Sequence, residues 1–254
     1  MKILQMSCFA IYIFIAGPAN ASLECDPFSV EITTTPALPE SPVALENARN
    51  SIARIPEDSD ILLIGDSIFA GGDTYISRQF SDAKIWNFSV SADKVQTALW
   101  RLDQVPSTSK APDNAFIFLG TNNLGVSRAT ACSIFLGLEK LVENVKKRWP
   151  ETQVYILSIL PRGADFKGRD DLRVEINKLI KNNPNQADYV PIMIDDSLIT
   201  CGHYSKPALP ENTMMCMPEL KYQCINYRPD NIHLEGPGYE ILSHTLHEAI
   251  IKLE

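Results

Sequence analysis

Apolar residues fall along this chain in two rhythms. Short unbroken runs occur at Ile61 to Ile64, Ile85 to Phe88, Ala115 to Leu119, Val154 to Ile159 and Tyr189 to Ile194. They lack the alternation of a strand with one wet face, so they predict strands covered on both sides. Between them the spacing changes to that of one helix face. Val95, Ala98, Leu99 and Leu102 follow it, as do Ile134, Leu138, Leu141, Val145 and Trp149. Leu172, Ile176, Leu179 and Ile180 mark a third helix ending near Asn183-Pro184, and Tyr239, Leu242, Leu246, Ala249, Ile250 and Leu253 a last one starting near Pro237. An amphipathic stretch from Val43 to Ile55 adds a helix ahead of the first strand.

Strands alternating with helices predict a parallel sheet with right-handed crossovers and helices on both faces, a three-layer α/β/α sandwich. Ligands of such sheets bind beyond the carboxyl ends of the strands. That rule aligns Gly65-Asp66-Ser67, Asn87 to Asp93, Gly120 to Asn123 and the segment after Ile194 on one rim. The one long connection, Asp195 to Asp230, carries three cysteines and four prolines. Connections of that length are functional or separately stapled, so it reads as an insertion over 196–229 bordering the rim.

Composition narrows the picture. With 254 residues, 45% hydrophobic and 21% charged, the chain suits one α/β domain better than two. A formal charge of −8, without any Lys/Arg cluster, argues against nucleic acid or an anionic membrane surface as partner. A small-molecule or glycan substrate is easier to reconcile with it.

The first 21 residues stand apart. Lys2 is their only charge, the apolar run from Phe9 to Ala16 is too short to span a bilayer, and Ala19-Asn20-Ala21 has the small-x-small form of a cleavage site. They predict a signal peptide cut after Ala21, hence a secreted or periplasmic protein with no stable membrane insertion. Residues 22–57 then form an N-terminal extension with its helix, and 58–254 the main domain.

Of the six cysteines, Cys8 lies in that leader. Cys132 sits within a helical apolar pattern and reads as a buried free thiol. Cys25, Cys201, Cys216 and Cys224 lie in irregular segments and predict two disulfides of unassigned pairing in an oxidising compartment. A zinc site from Cys201, His203, Cys216 and Cys224 has acceptable ligand types but no familiar spacing, so no metal is expected.

Ser67 follows a strand and precedes a helical turn. Alone, a serine there is an N-cap, and the Gly-x-Ser-x-Gly of a nucleophile elbow is missing. As a nucleophile it needs a base, a group orienting that base, and donors for an oxyanion. Asp230-Asn-Ile-His233, just ahead of the last helix, offers both of the first two. His203 is the rival base, while His244 and His247 read as solvated helix residues. Asn122 ends the third strand with an amide donor, and backbone N–H groups of Asn87 to Asp93 can supply the rest. Asp93 with Gln96 also has the form of a capping box.

Together these residues resemble the SGNH hydrolases, the GDSL esterase/lipase superfamily. Gly65-Asp66-Ser67 matches its first block, Gly120-Thr121-Asn122 its third and Asp230-x-x-His233 its last. Leu99-Trp-Arg-Leu102, Leu160-Pro-Arg-Gly163 and His233-Leu-x-Gly-x-Gly-Tyr239 resemble the platelet-activating-factor acetylhydrolase Ib branch, although Trp100 and Arg101 read equally well as helix packing and a surface charge. The resemblance implies a flavodoxin-like fold with a five-stranded parallel sheet. It also implies catalysis by Ser67, His233 and Asp230, and an oxyanion hole from the Ser67 N–H, the Ala92 N–H and the Asn122 amide.

Ala92 stands where the family's second block has glycine, and Ser89 replaces a nearby glycine of that block. Alanine keeps the N–H but resists positive φ. The expected function is a cofactor-free serine esterase removing short acyl groups, foremost acetyl, from oxygen esters of carbohydrate. The alternatives are a lysophospholipase or short-chain lipase, a sugar O-acyltransferase, and a carbohydrate-binding protein on a disabled hydrolase fold.

Overall fold

The computed structural model describes residues 25–106, 110–204 and 224–252. The leader and Cys216 lie outside them. Five parallel strands, β1 (Ile61–Gly65), β2 (Ile85–Asn87), β3 (Asn114–Phe118), β4 (Gln153–Leu157) and β5 (Val190–Ile192), form one sheet in the order β2-β1-β3-β4-β5. β1 is buried along its whole length. Pro191 is tolerated in β5 because that strand is an edge.

Alternate side chains of each strand feed two cores. Leu62, Ile64, Ala115, Ile117, Val154 and Ile156 pack on one face against α5 (Val95–Asp103), α6 (Ala131–Arg148) and α7 (Asp170–Asn182). Leu63, Phe116, Phe118, Tyr155 and Leu157 pack on the other against α3 (Ser67–Gly71), α4 (Asp73–Gln79) and α9 (Gly236–Ile251). The expected sandwich is therefore present, each apolar strand serving both of its faces.

Three helices did not stand out in the apolar pattern: α1 (Pro27–Thr34), α4, and the short α8 (Asp196–Ile199) inside the insertion. Helix α2 (Pro42–Ile52) fills the amphipathic stretch before β1, capped by Ser41, whose Oγ accepts from the Ala44 N–H. α1 lies on α6, where the Thr33 hydroxyl donates to the Ser133 carbonyl at 2.5 Å. A Cβ at Gly137 would come within 2.8 Å of the Thr33 carbonyl oxygen, so glycine permits this approach.

That docking corrects the cysteine reading. Cys132 is not a free thiol; it is bonded to Cys25 across 107 residues of sequence. The apolar pattern around Cys132 is real, but the surface it faces is α1, whose weak pattern hid where the extension goes. Cys201 pairs with Cys224 and closes the insertion at its base. Two of the four residues of the alternative zinc set are thereby joined to each other.

Candidate active site

Ser67 opens α3 directly after β1. Gly65 lets the chain turn there, since a Cβ would stand 2.7 Å from the Phe69 ring. The helix cap is Asp66, not Ser67: its Oδ1 accepts from the Ile68 N–H at 2.9 Å. The Ser67 hydroxyl is left to meet His233, with Oγ 2.9 Å from Nε2.

His233 and Asp230 come from a small hairpin pinned by an antiparallel bridge between Tyr227 and Leu234 and by the Arg228 N–H donating to the His233 carbonyl. The loop after β4 supports it from beneath. There the Gly163 N–H donates to the Asn231 carbonyl at 2.8 Å, and the Tyr227 hydroxyl donates to Pro161 at 3.0 Å. Within the hairpin, Asp230 Oδ2 lies 2.7 Å from His233 Nδ1 while Oδ1 accepts from the Ile232 and His233 N–H groups. Partial burial pushes the Asp230 carboxyl up, but the His233 ring and the two N–H groups outweigh it and hold it at about 2. Asp230 is thus a carboxylate at neutral pH. It fixes the ring with Nδ1 protonated and Nε2 facing Ser67 as an acceptor, an arrangement that can take a proton from the hydroxyl.

The second-strand loop carries Ala92 at φ 64. It is bound alongside the end of β1, with the Phe88 N–H on the Leu63 carbonyl at 2.9 Å and the Val90 N–H on that of Gly65 at 3.1 Å. Neither the Ala92 nor the Ser67 N–H has a hydrogen-bond partner among the described residues. Asn122 follows Gly120, whose φ of 116 and 2.6 Å Cβ approach to Ile159 exclude other residues. Its Nδ2 donates to the Asp93 carbonyl at 2.9 Å and stands 3.5 Å from Asp66 Oδ2. The amide is thereby held between the Ala92 loop and the residue preceding Ser67. Neighbouring Asn123 is buried and structural, accepting from the Val95 N–H and donating to Gln96.

Two readings change. Arg101 is not a surface charge: it is fully buried, bonded to Asp93 and stacked 4.3 Å from the Phe88 ring centroid. Asp93 and Gln96 do not form a capping box, because Asp93 turns inward to Thr97 and Arg101; the Lys94 N–H instead donates to the Thr97 hydroxyl at 2.8 Å. His203, in the insertion, lies by Phe166, and the ring that meets Ser67 is that of the favoured His233. Helical spacing of Asp93, Thr97 and Arg101 was the one signal of the inward pair, and it is shared by ordinary surface ladders.

Asp66 is buried, and burial pushes its carboxyl up to about 7, helped by the charge of Asp93 nearby. An open cavity of about 260 Å³ spreads over Ser67 and His233, walled by Ala70, Gly71, Ser91, Arg228 and Tyr239. The Tyr239 ring packs on Gly71 and Gly72 and stacks on Tyr75 at 5.3 Å, closing the floor.

Residues 63–241 match the model of the GDSL-like Lipase/Acylhydrolase family. Platelet-activating factor acetylhydrolase IB subunit alpha2 of Rattus norvegicus is 28% identical over 200 residues, covering 78% of each chain, and that of Homo sapiens is 27% identical with the same coverage. A solved GDSL-like lipase from Bacteroides thetaiotaomicron shares the fold with a TM-score of 0.57 at 16% identity, over 82% of this chain and 98% of its own. A member of the lipolytic protein G-D-S-L family from Veillonella parvula does so at 0.56 and 17%, over 75% and 97%. The chain belongs to the GDSL-like lipase/acylhydrolase family and is an ester hydrolase.

Proposed function

We propose that this hydrolase is an exported serine esterase that removes short acyl groups, foremost acetyl, from oxygen esters of carbohydrate. The observation that carries the reading is the continuous hydrogen-bonded line from Ser67 Oγ through His233 to Asp230, at 2.9 and 2.7 Å. Ser67 Oγ attacks the ester carbonyl as its proton passes to His233 Nε2, and Asp230 steadies the imidazolium. The oxyanion is received by the Ser67 and Ala92 N–H groups with the Asn122 amide. Collapse breaks the carbon–alcohol oxygen bond, and the alcohol leaves with the proton from His233. Water then gives its proton to the same nitrogen, attacks the acyl-enzyme and frees the acid and Ser67. The cycle requires no cofactor.

Short acyl groups fit the site because, among the described residues, its apolar lining amounts to Ala70, Gly71 and the Tyr239 ring. The relatives are named acetylhydrolases. The negative charge of the chain disfavours an anionic lipid surface. Export is supported by the leader pattern of residues 1–21 and by two disulfides. Among the described residues no helix is long and apolar enough to cross a membrane.

Ser67→Ala and His233→Ala are expected to abolish hydrolysis of p-nitrophenyl acetate, and Ser67→Ala to abolish labelling by a fluorophosphonate. Full rate in Ser67→Ala refutes the nucleophile assignment. In the parent, kcat/KM should fall steeply from acetyl to hexanoyl ester, whereas a rise would establish a lipase instead.

A further inference from the structure

A second recess lies at the carboxyl end of the same sheet, beside the end of β2. It is an open cavity of about 250 Å³ lined by Asn47, Asn50, Ser51, Arg54, Asn87 and Ser89. The first four occupy the i, i+3, i+4, i+7 positions along α2 and its last turn, so they form one face of that helix. Asn87 and Ser89 come from the carboxyl end of β2. The lining holds three carboxamides, two hydroxyls and a guanidinium, with no carboxylate and no large apolar side chain.

Three of these groups face solvent. Asn47, Asn50 and Arg54 are exposed, and their side chains make no hydrogen bond to any described residue. The groups on the β2 side are fixed instead. Asn87 Nδ2 donates to the Phe69 carbonyl and to Asp73, each at 3.1 Å, and Ser89 Oγ donates to the Leu63 carbonyl at 3.3 Å. Ser51 Oγ lies 3.5 Å from the Phe88 carbonyl, which ties α2 to the same loop.

Two short links join its lining to the wall of the first cavity. Asn87 is bonded to Phe69, the neighbour of Ala70 in the wall of the first cavity, and Ser89 is two residues from Ser91 in that same wall. An ester bound at Ser67 has its alcohol portion to place on this rim. Amides free to donate or accept, with a guanidinium free to donate, suit an alcohol with many hydroxyl groups, and offer an alkyl chain nothing.

We propose that this recess is a saccharide subsite, which seats a sugar unit of the alcohol portion beyond the unit whose acetyl group is attacked. The proposal rests on the esterase reading above and specifies its substrate as an acetylated glycan of at least two units. The N-terminal helix α2 is then a specificity element rather than packing alone.

The test is the Asn47→Ala/Asn50→Ala/Arg54→Ala triple variant beside the parent. All three positions are exposed, and alanine favours helix at the two within α2, so the variant should fold. Substrates are p-nitrophenyl acetate, glucose pentaacetate and an O-acetylated cello-oligosaccharide. On the oligosaccharide KM should rise roughly tenfold or more as three hydrogen-bonding groups go, with kcat within about twofold. On the two small substrates the variant should equal the parent. A parent that cleaves the oligosaccharide, with an unchanged KM in the variant, overturns the subsite alone. A parent that cleaves p-nitrophenyl acetate but no acetylated saccharide overturns the carbohydrate reading and the subsite together. Equal losses on all three substrates also overturn the subsite, since they place the damage at the nucleophile.

Discussion

Arg101 holds Asp93 inside the protein, donating from Nε at 3.0 Å and from Nη2, while its Nη1 donates to the Phe88 carbonyl. One side chain therefore ties both ends of the loop that carries Ala92. Burial pushes the Asp93 carboxyl up and the guanidinium opposes it, so the pair depends on its geometry. Removing one partner strands the other without water.

Arg101→Met should consequently lower unfolding free energy by about 3–5 kcal/mol, read as a fall in the urea midpoint. In the fraction still folded, kcat for p-nitrophenyl acetate should drop by about 10²-fold with little change in KM, because an oxyanion donor is displaced. An unchanged kcat would separate the clamp from the site.

Ala92 sits at φ 64, a region L side chains enter at a cost. Ala92→Gly keeps the N–H and should stabilise the protein by about 1 kcal/mol, measured by thermal denaturation, with activity retained. Ala92→Pro removes the N–H and demands a negative φ. It should lose nearly all turnover, and an active Ala92→Pro would exclude this N–H from the oxyanion hole.

Asp66 has its carboxyl raised from 3.8 to about 7 by burial. Between those values the folded state keeps a proton the unfolded state has released, so stability falls as pH rises from about 4 to 7. Asp66→Asn cannot ionise and should lose that slope, its stability gaining on the parent across this range. Urea midpoints of both proteins from pH 4 to 8 test it; parallel curves would show that Asp66 ionises normally.

The Cys25–Cys132 bond closes a loop of 107 residues. Cys25→Ser should cost about 3–5 kcal/mol by loop entropy, seen as a lower denaturation midpoint than that of the oxidised parent. Peptide mapping without reductant should recover Cys25 and Cys132 in one linked fragment, and separate free thiols would refute the pairing.

Strands and the longer helices were legible because burial on one or both faces imposes a period that survives in one dimension. The block residues Ser67, Asn122, Asp230 and His233 were legible for a related reason: each stands at a strand end or just before a helix, where the fold order alone brings them to one rim. Arg101 and Cys132 were not. The first is a charge that a helical pattern assigns to solvent, and only the backbone of residues 88–93 folding over it supplies the partners that let it stay inside. The second faces a helix whose eight residues have too little apolar pattern to announce where they dock.

What this sequence determined by itself was the layer architecture and the parallel sheet, consequences of local periodicity; strand-end placement made Ser67, Asn122, Asp230 and His233 candidates, and the resemblance to a known family gave each its proposed role. Tertiary structure decided which residue caps α3, which cysteines meet, and how Ala92 is held in a left-handed turn. It also decided that the polar face of α2 meets the carboxyl end of β2. Those outcomes depend on contacts between segments tens of residues apart, whose partners no spacing along the chain encodes.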